Sequence, residues 1–124
     1  MKRLHIKKKN MQIQLYPYGI YRVLRISDLT VISQLEELRL LIEGYIARDD
    51  VHIAVCFTDT SYLYSKAVAV LVSCVKKIKD VKGDLCILEP KSEMTDLFHQ
   101  MGIDEVITAY SSETDLPDTF ASRK

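Results

Sequence analysis

The 124-residue chain has no tryptophan and only four glycines and three prolines. So few breakers leave little room for long irregular loops, and no glycine-rich loop that could cradle a phosphate is present. The three cysteines, Cys56, Cys74 and Cys86, are odd in number and form no close pair. That argues against a disulfide framework and against a zinc site, and points to a reduced, cytoplasmic protein with buried thiols. His5, His52 and His99 lie too far apart in sequence to suggest a shared metal. Charge of one sign is missing too: 17 Lys plus Arg balance 17 Asp plus Glu. No overall field is therefore available to hold nucleic acid or an anionic membrane. The longest uninterrupted apolar run, Ala67 to Val72, is far short of a membrane span. The start, Met1 to Lys9, has charge but no apolar stretch after it, unlike a secretory leader. No Gly-x-Ser-x-Gly elbow marks a serine nucleophile, so neither catalysis nor a cofactor is expected.

What the chain does have is the composition of one soluble domain, 48% hydrophobic and 27% charged. At this length roughly two-thirds of the surface can be buried, enough for a core without staples. Met11 to Tyr16 alternates apolar and polar residues as a half-buried strand does. Pro17 and Gly19 suit a type I turn, and Ile20 to Ile26 reads as the second arm of an antiparallel hairpin. Asp28, Thr30 and Ser33 offer caps to a helix whose apolar stripe is Val31, Leu35, Leu38, Ile42 and Tyr45. Val51 to Phe57 alternates large residues with Ala54 and Cys56, as suits a central strand covered on both faces.

A loop from Thr58 to Tyr64 then precedes a helix over Ser65 to Val81 with Ala67, Leu71, Cys74 and Ile78 inward. Leu85 to Leu88 is a short strand, Ser92 caps a helix stopped by Gly102, and Glu105 to Ala109 is the last strand. The fold expected is a single α/β domain: a mixed, mostly parallel sheet of about five strands with three or more helices. Its limits are set at residues 11–110, between a basic, solvated N-terminal arm (1–10: Lys2, Arg3, Lys7, Lys8, Lys9) and a polar tail (111–124).

The segment Val51 to Gly83 resembles the STAS domain, the family that includes the bacterial anti-anti-sigma factors. There a strand leads through a short loop to an Asp-Ser-Ser-Gly-Leu-Gly type motif opening a helix. Without gaps, that motif falls on Tyr64-Ser65-Lys66-Ala67-Val68-Ala69. Asp49 to Val55 looks like the family's strand entry, Lys76 to Gly83 like its helix end, and Leu97 to Ile107 like its last helix and strand. The pattern spans Met11 to Ser112. A second candidate, Asp59-Thr60-Ser61-Tyr62, leaves only three residues between Phe57 and the serine, so Ser65 is preferred.

The resemblance implies an anti-sigma factor antagonist, not an enzyme, that switches partners when Ser65 is phosphorylated. Its partners would be an anti-sigma serine kinase and a cognate phosphatase, with the free protein a monomer. The implied contact residues are Asp28, Thr30, Thr60, Ser61, Tyr62, Tyr64, Lys66 and Ala67. Ser65 is also read as the N-cap of its helix, a role compatible with phosphorylation. Tyr64, Lys66, Ala67 and Ala69 depart from the motif's Asp, Ser and Gly residues. Those departures favour a rival: an accessory or scaffold subunit that does not switch, for instance of a lipid-transport ATPase complex. A flavodoxin-like nucleotide binder ranks last, for want of a phosphate loop.

Overall fold

A computed structural model describes residues 4–8, 11–29, 32–58 and 63–117. Six strands form one sheet: β1 (Leu4–Lys8), β2 (Met11–Tyr18), β3 (Tyr21–Ser27), β4 (His52–Phe57), β5 (Asp84–Leu88) and β6 (Thr108–Tyr110). Their order across the sheet is their order along the chain. The first three pair antiparallel, and β3 to β6 pair parallel through α1 (Ser33–Ala47), α2 (Tyr64–Asp80) and α3 (Ser92–Met101). This is the expected mixed sheet, with one strand more.

The additional strand, Leu4–Lys8, falls within the segment read as a basic N-terminal arm. In the antiparallel register of β1 with β2, Leu4 stands opposite Leu15 and Ile6 opposite Ile13. Lysines had disguised that strand, although charge on an edge is how sheets discourage further pairing. Lys7 and Lys8 belong to it, while Lys2, Arg3 and Lys9 lie outside the described residues. The turn after β2 also differs from expectation. Pro17 is inside the strand, opposite Arg22, and the loop is only Gly19-Ile20 between the paired Tyr18 and Tyr21. Gly19 has φ +61°, the positive value that the primed turns of two-residue hairpins need. Pro17 lies past Leu15, where the described register with β1 ends, so its missing N–H breaks no described rung.

All three helices cover one face. Leu38 and Ile42 of α1, Leu71 and Ile78 of α2 and Phe98 of α3 pack with Leu24, Ile26, Ile53, Val55 and Ile87 of the sheet. Each such aliphatic side chain contributes about 1.5–3 kcal/mol by leaving water. Arg39, Glu43 and Lys77 tie α1 to α2 at the rim of this layer. The opposite face holds a smaller cluster of Tyr16, Tyr21, Val23, Ala54, Cys56, Cys86 and Leu88. There the Tyr21 hydroxyl donates to Asp84 at 2.6 Å and its ring meets His52 edge-on at 5.5 Å. Burial of Cys56 and Cys74 pushes both thiols up, away from the reactive thiolate.

Two further expectations change. Ser33 and Ser92 are the first residues inside α1 and α3, whose caps are Ile32 and Lys91 and make no side-chain bond. Thr30 and Val31 lie outside the described residues. Ser111 to Leu116 is no free tail: a 3-10 turn at Glu113–Asp115 returns the chain to the sheet, and Leu116 packs on the helix-free face. Glu105 belongs to another 3-10 turn, Ile103–Glu105, which delays β6 to Thr108. Gly102, at φ +68°, ends α3 as expected.

Candidate functional site

Parallel pairing of β3 with β4 brings their carboxyl ends to one end of the sheet. Ile26 stands opposite Phe57, and Thr58 donates both its N–H (2.9 Å) and its Oγ1 (3.2 Å) to the Ile26 carbonyl. Beyond that clamp Asp28 turns outward at φ +60°, with its carboxylate 3.3 Å from the Gln12 amide. Leu29 and Leu63 are both buried in the helix-side core and anchor the chain on either side. Asp28 and the start of α2 thereby occupy the same end of the sheet.

Ser65 is exposed at the second position of α2, so it is not the cap; that place belongs to Leu63, which makes no side-chain cap bond. A capping residue has non-helical backbone and precedes the first turn, whereas Ser65 already lies within it. No acidic residue occupies that turn, and Lys66 beside it is also exposed. Ala67 is fully buried, with its N–H bonded to the Leu63 carbonyl at 2.8 Å. It packs the core and offers a partner nothing, which corrects its place among the contact residues. Thr60, Ser61 and Tyr62, like Asp59 and Thr30, lie outside the described residues, as does the side chain of Tyr64. Ser65→Ala is therefore expected to leave stability within about 0.5 kcal/mol of the parent in urea unfolding. A loss of about 1 kcal/mol, the cost of a lost cap, would contradict this placement.

The structure also assembles a cluster that motif reading did not find. Arg25, on the helix-free face, donates from Nε to the Tyr16 hydroxyl at 2.7 Å and makes a two-pronged contact with Glu89 at 3.2 and 3.0 Å. One of its terminal nitrogens also reaches Glu113 at 3.0 Å, and Tyr16 donates to the same carboxylate. The hydrogen bonds from Arg25 hold the Glu89 carboxyl below the usual carboxylate range. An arginine in a strand between buried neighbours was the available signal, because such a cation needs carboxylates. Among the described residues, no group of three His, Cys, Asp or Glu side chains converges as a metal site.

A single sheet with serially ordered strands and all its helices on one face defines a small α/β domain. The chain belongs to the STAS domain family, whose model matches residues 12–116. A Thermotoga maritima protein described as a candidate anti-sigma factor antagonist has a similar structure, with a TM-score of 0.74 at 12% identity over 90% of this chain and 95% of that one. SpoIIAA, described as an anti-sigma factor antagonist, is similar in its unphosphorylated form (TM-score 0.62, 20% identity, 90% and 94% covered). The phosphorylated form of SpoIIAA, a Bacillus cell fate determinant, gives 0.61 at 17% identity over 90% and 99%. At such identities the likeness is one of fold. Comparison with curated proteins gave no match. Among the described residues, no helix is long and apolar enough to cross a membrane.

Proposed function

We propose that this chain is a regulatory protein-binding module of the anti-sigma factor antagonist kind, controlled by phosphorylation of Ser65. The observation that carries the reading is the exposure of Ser65 in the first turn of α2, whose opposite side is anchored in the core. The similar structures add weight, since SpoIIAA is described in phosphorylated and unphosphorylated forms.

The physics of such a switch is local. The N-terminus of a helix carries free N–H donors and a partial positive charge. A phosphate there brings about 1.5 to 2 negative charges that the helix tolerates. With no acid in that turn, the phosphate would reverse the local charge, and Lys66 is at hand to pair with it. A partner surface complementary to a neutral hydroxyl would instead meet charge that it must desolvate. Association weakens while the fold, to which Ser65 gives no cap, is unchanged. Asp28 and Lys66 are the accompanying contact residues, and the partner is an anti-sigma factor with serine kinase character, opposed by a phosphatase.

Capture of the tagged chain from its own cells, parent beside Ser65→Glu, tests this. The expected result is a kinase-like anti-sigma factor on the parent and at least about tenfold less on the variant, with melting unchanged. Equal capture by both forms would sink the switch. The rival, a constitutive accessory subunit, is favoured by Ala67, a buried alanine where the family motif has glycine. It predicts the same complex, a transporter assembly for instance, on both forms.

A further inference from the structure

The sheet ends differently at its two edges. β1 carries Lys7 and Lys8, the usual guards of an open edge, whereas β6 is Thr108-Ala109-Tyr110 with no charge and no proline. Among the described residues nothing pairs with the outer side of β6. The Tyr110 carbonyl accepts the Glu89 N–H at 2.7 Å, so Tyr110 and Thr108 direct their backbone polar groups toward β5. Strand alternation then points the N–H and C=O of Ala109 outward, unmatched by a strand.

Alongside that edge runs a groove of about 380 Å³ beneath α3. The nearly buried Phe98 and Ile107 form its floor beside the exposed Ala109, and Asp96, Asp104 and His99 stand at its polar rim, where His99 Nδ1 lies 3.4 Å from the Asp104 carboxylate. Its described lining comes from α3, from Asp104 and Ile107 in the connection, and from Ala109 of the edge strand β6. From Ser92 through Tyr110 the chain has no lysine or arginine, but carboxylates at Glu93, Asp96, Asp104 and Glu105. The geometry points to a second docking surface here. It accepts an extended segment of a partner protein that adds a strand to β6 and places lysine or arginine side chains in the groove.

Three features select that occupant. A strand laid on β6 would satisfy the outward N–H and C=O of Ala109, as in other complexes formed by strand addition. Every second side chain of the added strand would face α3 and enter the groove. There a long aliphatic stem can lie along the exposed Ala109 while its cationic head reaches Asp96 or Asp104, a division that suits lysine and arginine. Because β6 is only three residues long, backbone pairing alone is weak and the charged rim supplies selectivity. This surface is built from α3 and β6 and does not depend on Ser65. The module can thus hold one partner at α2 and another along β6.

The test is titration of the ¹⁵N-labelled full chain with an acetylated, amidated hexapeptide of alternating threonine and lysine, against its threonine–glutamate counterpart. The lysine peptide is expected to shift the amides of Phe98, His99, Asp104 and Ala109 and to slow hydrogen exchange at Ala109. Ala109→Pro removes the outward N–H without touching the rungs to β5, and Asp96→Asn with Asp104→Asn removes the rim charge. Each is expected to weaken binding by about tenfold. No binding of the lysine peptide, equal binding of the glutamate peptide, or shifts located elsewhere would overturn the proposal. So would full affinity in both variants. Protection of Ala109 that rises with protein concentration in the absence of peptide would make the occupant a second copy, and also overturns it.

Discussion

Gly83→Ala is expected to lower stability by about 3 kcal/mol, at the upper end of what overpacking costs. The residue has no left-handed conformation to explain its identity. Its constraint is space. A Cβ built there would lie 2.2 Å from the Val51 carbonyl oxygen, 2.6 Å from the Val51 Cβ and 2.9 Å from Ile78 Cγ2. None of these can move freely. The Val51 carbonyl accepts the Asp84 N–H at 2.8 Å, the contact that starts β5 beside β4, and Ile78 is fully buried in α2. The Gly83 N–H also closes α2 through the Ile78 carbonyl at 2.8 Å, while the preceding residue, Lys82, takes the left-handed turn at φ +63°. That is the double-bonded helix ending in which glycine ordinarily occupies the left-handed place. Here the glycine stands one residue later, where three elements meet. Urea unfolding measures the effect, and a loss under about 1 kcal/mol would show that the junction relaxes around a methyl group.

Arg25→Met is expected to cost about 2 kcal/mol, less than the roughly 3–5 kcal/mol of breaking a fully buried pair. The discount follows from exposure: the side chains are 19% exposed for Arg25, 20% for Glu113 and 41% for Glu89. Methionine preserves the stem packing and removes the cation, leaving two carboxylates and the Tyr16 hydroxyl without it. The segment from Ser111 to Leu116 should loosen first, read as faster hydrogen exchange at Asp115 and Leu116. The pH dependence has a definite sign. Arg25 depresses the folded carboxyl of Glu89, so the stabilisation is complete above the unfolded value of about 4.3 and fades as pH falls through the folded value. Parent and variant should therefore differ at neutral pH and converge in acid. A constant difference down to pH 3 would remove Glu89 from the account.

The legible parts of this fold are those governed by neighbours in sequence. The stripe Ala67, Leu71, Cys74, Ile78 repeats at helical spacing, and burial of all four follows from that period alone. The family pattern around Ser65 was readable for the same reason, being a continuous segment. What escaped depends on distant partners. The apolar alternation of β1 is brief, and only Ile13 and Leu15 across the rung reveal it as a strand. Arg25 meets Glu89 and Glu113 from 64 and 88 residues away, so no local pattern marks the cluster. Serine before an apolar run suggested a cap three times, yet Ser33, Ser65 and Ser92 all lie inside their helices. Residue type predicts a helix start there, and only backbone geometry assigns the capping position. The groove beside β6 unites α3 with a strand that begins after a 3-10 turn, a detour that helix and strand periods do not register.

Strand order that follows chain order has a consequence for synthesis. A chain emerging from the ribosome never needs to thread a late strand between two earlier ones; every strand joins the edge made by its predecessor. Arg25 appears in the third strand, and its second carboxylate comes 88 residues later. At about 5–20 residues per second that interval lasts roughly 4–18 s. For that time the guanidinium stands on a growing sheet without its final counter-ion, and Glu113 closes the face only when nearly all of the domain has been made.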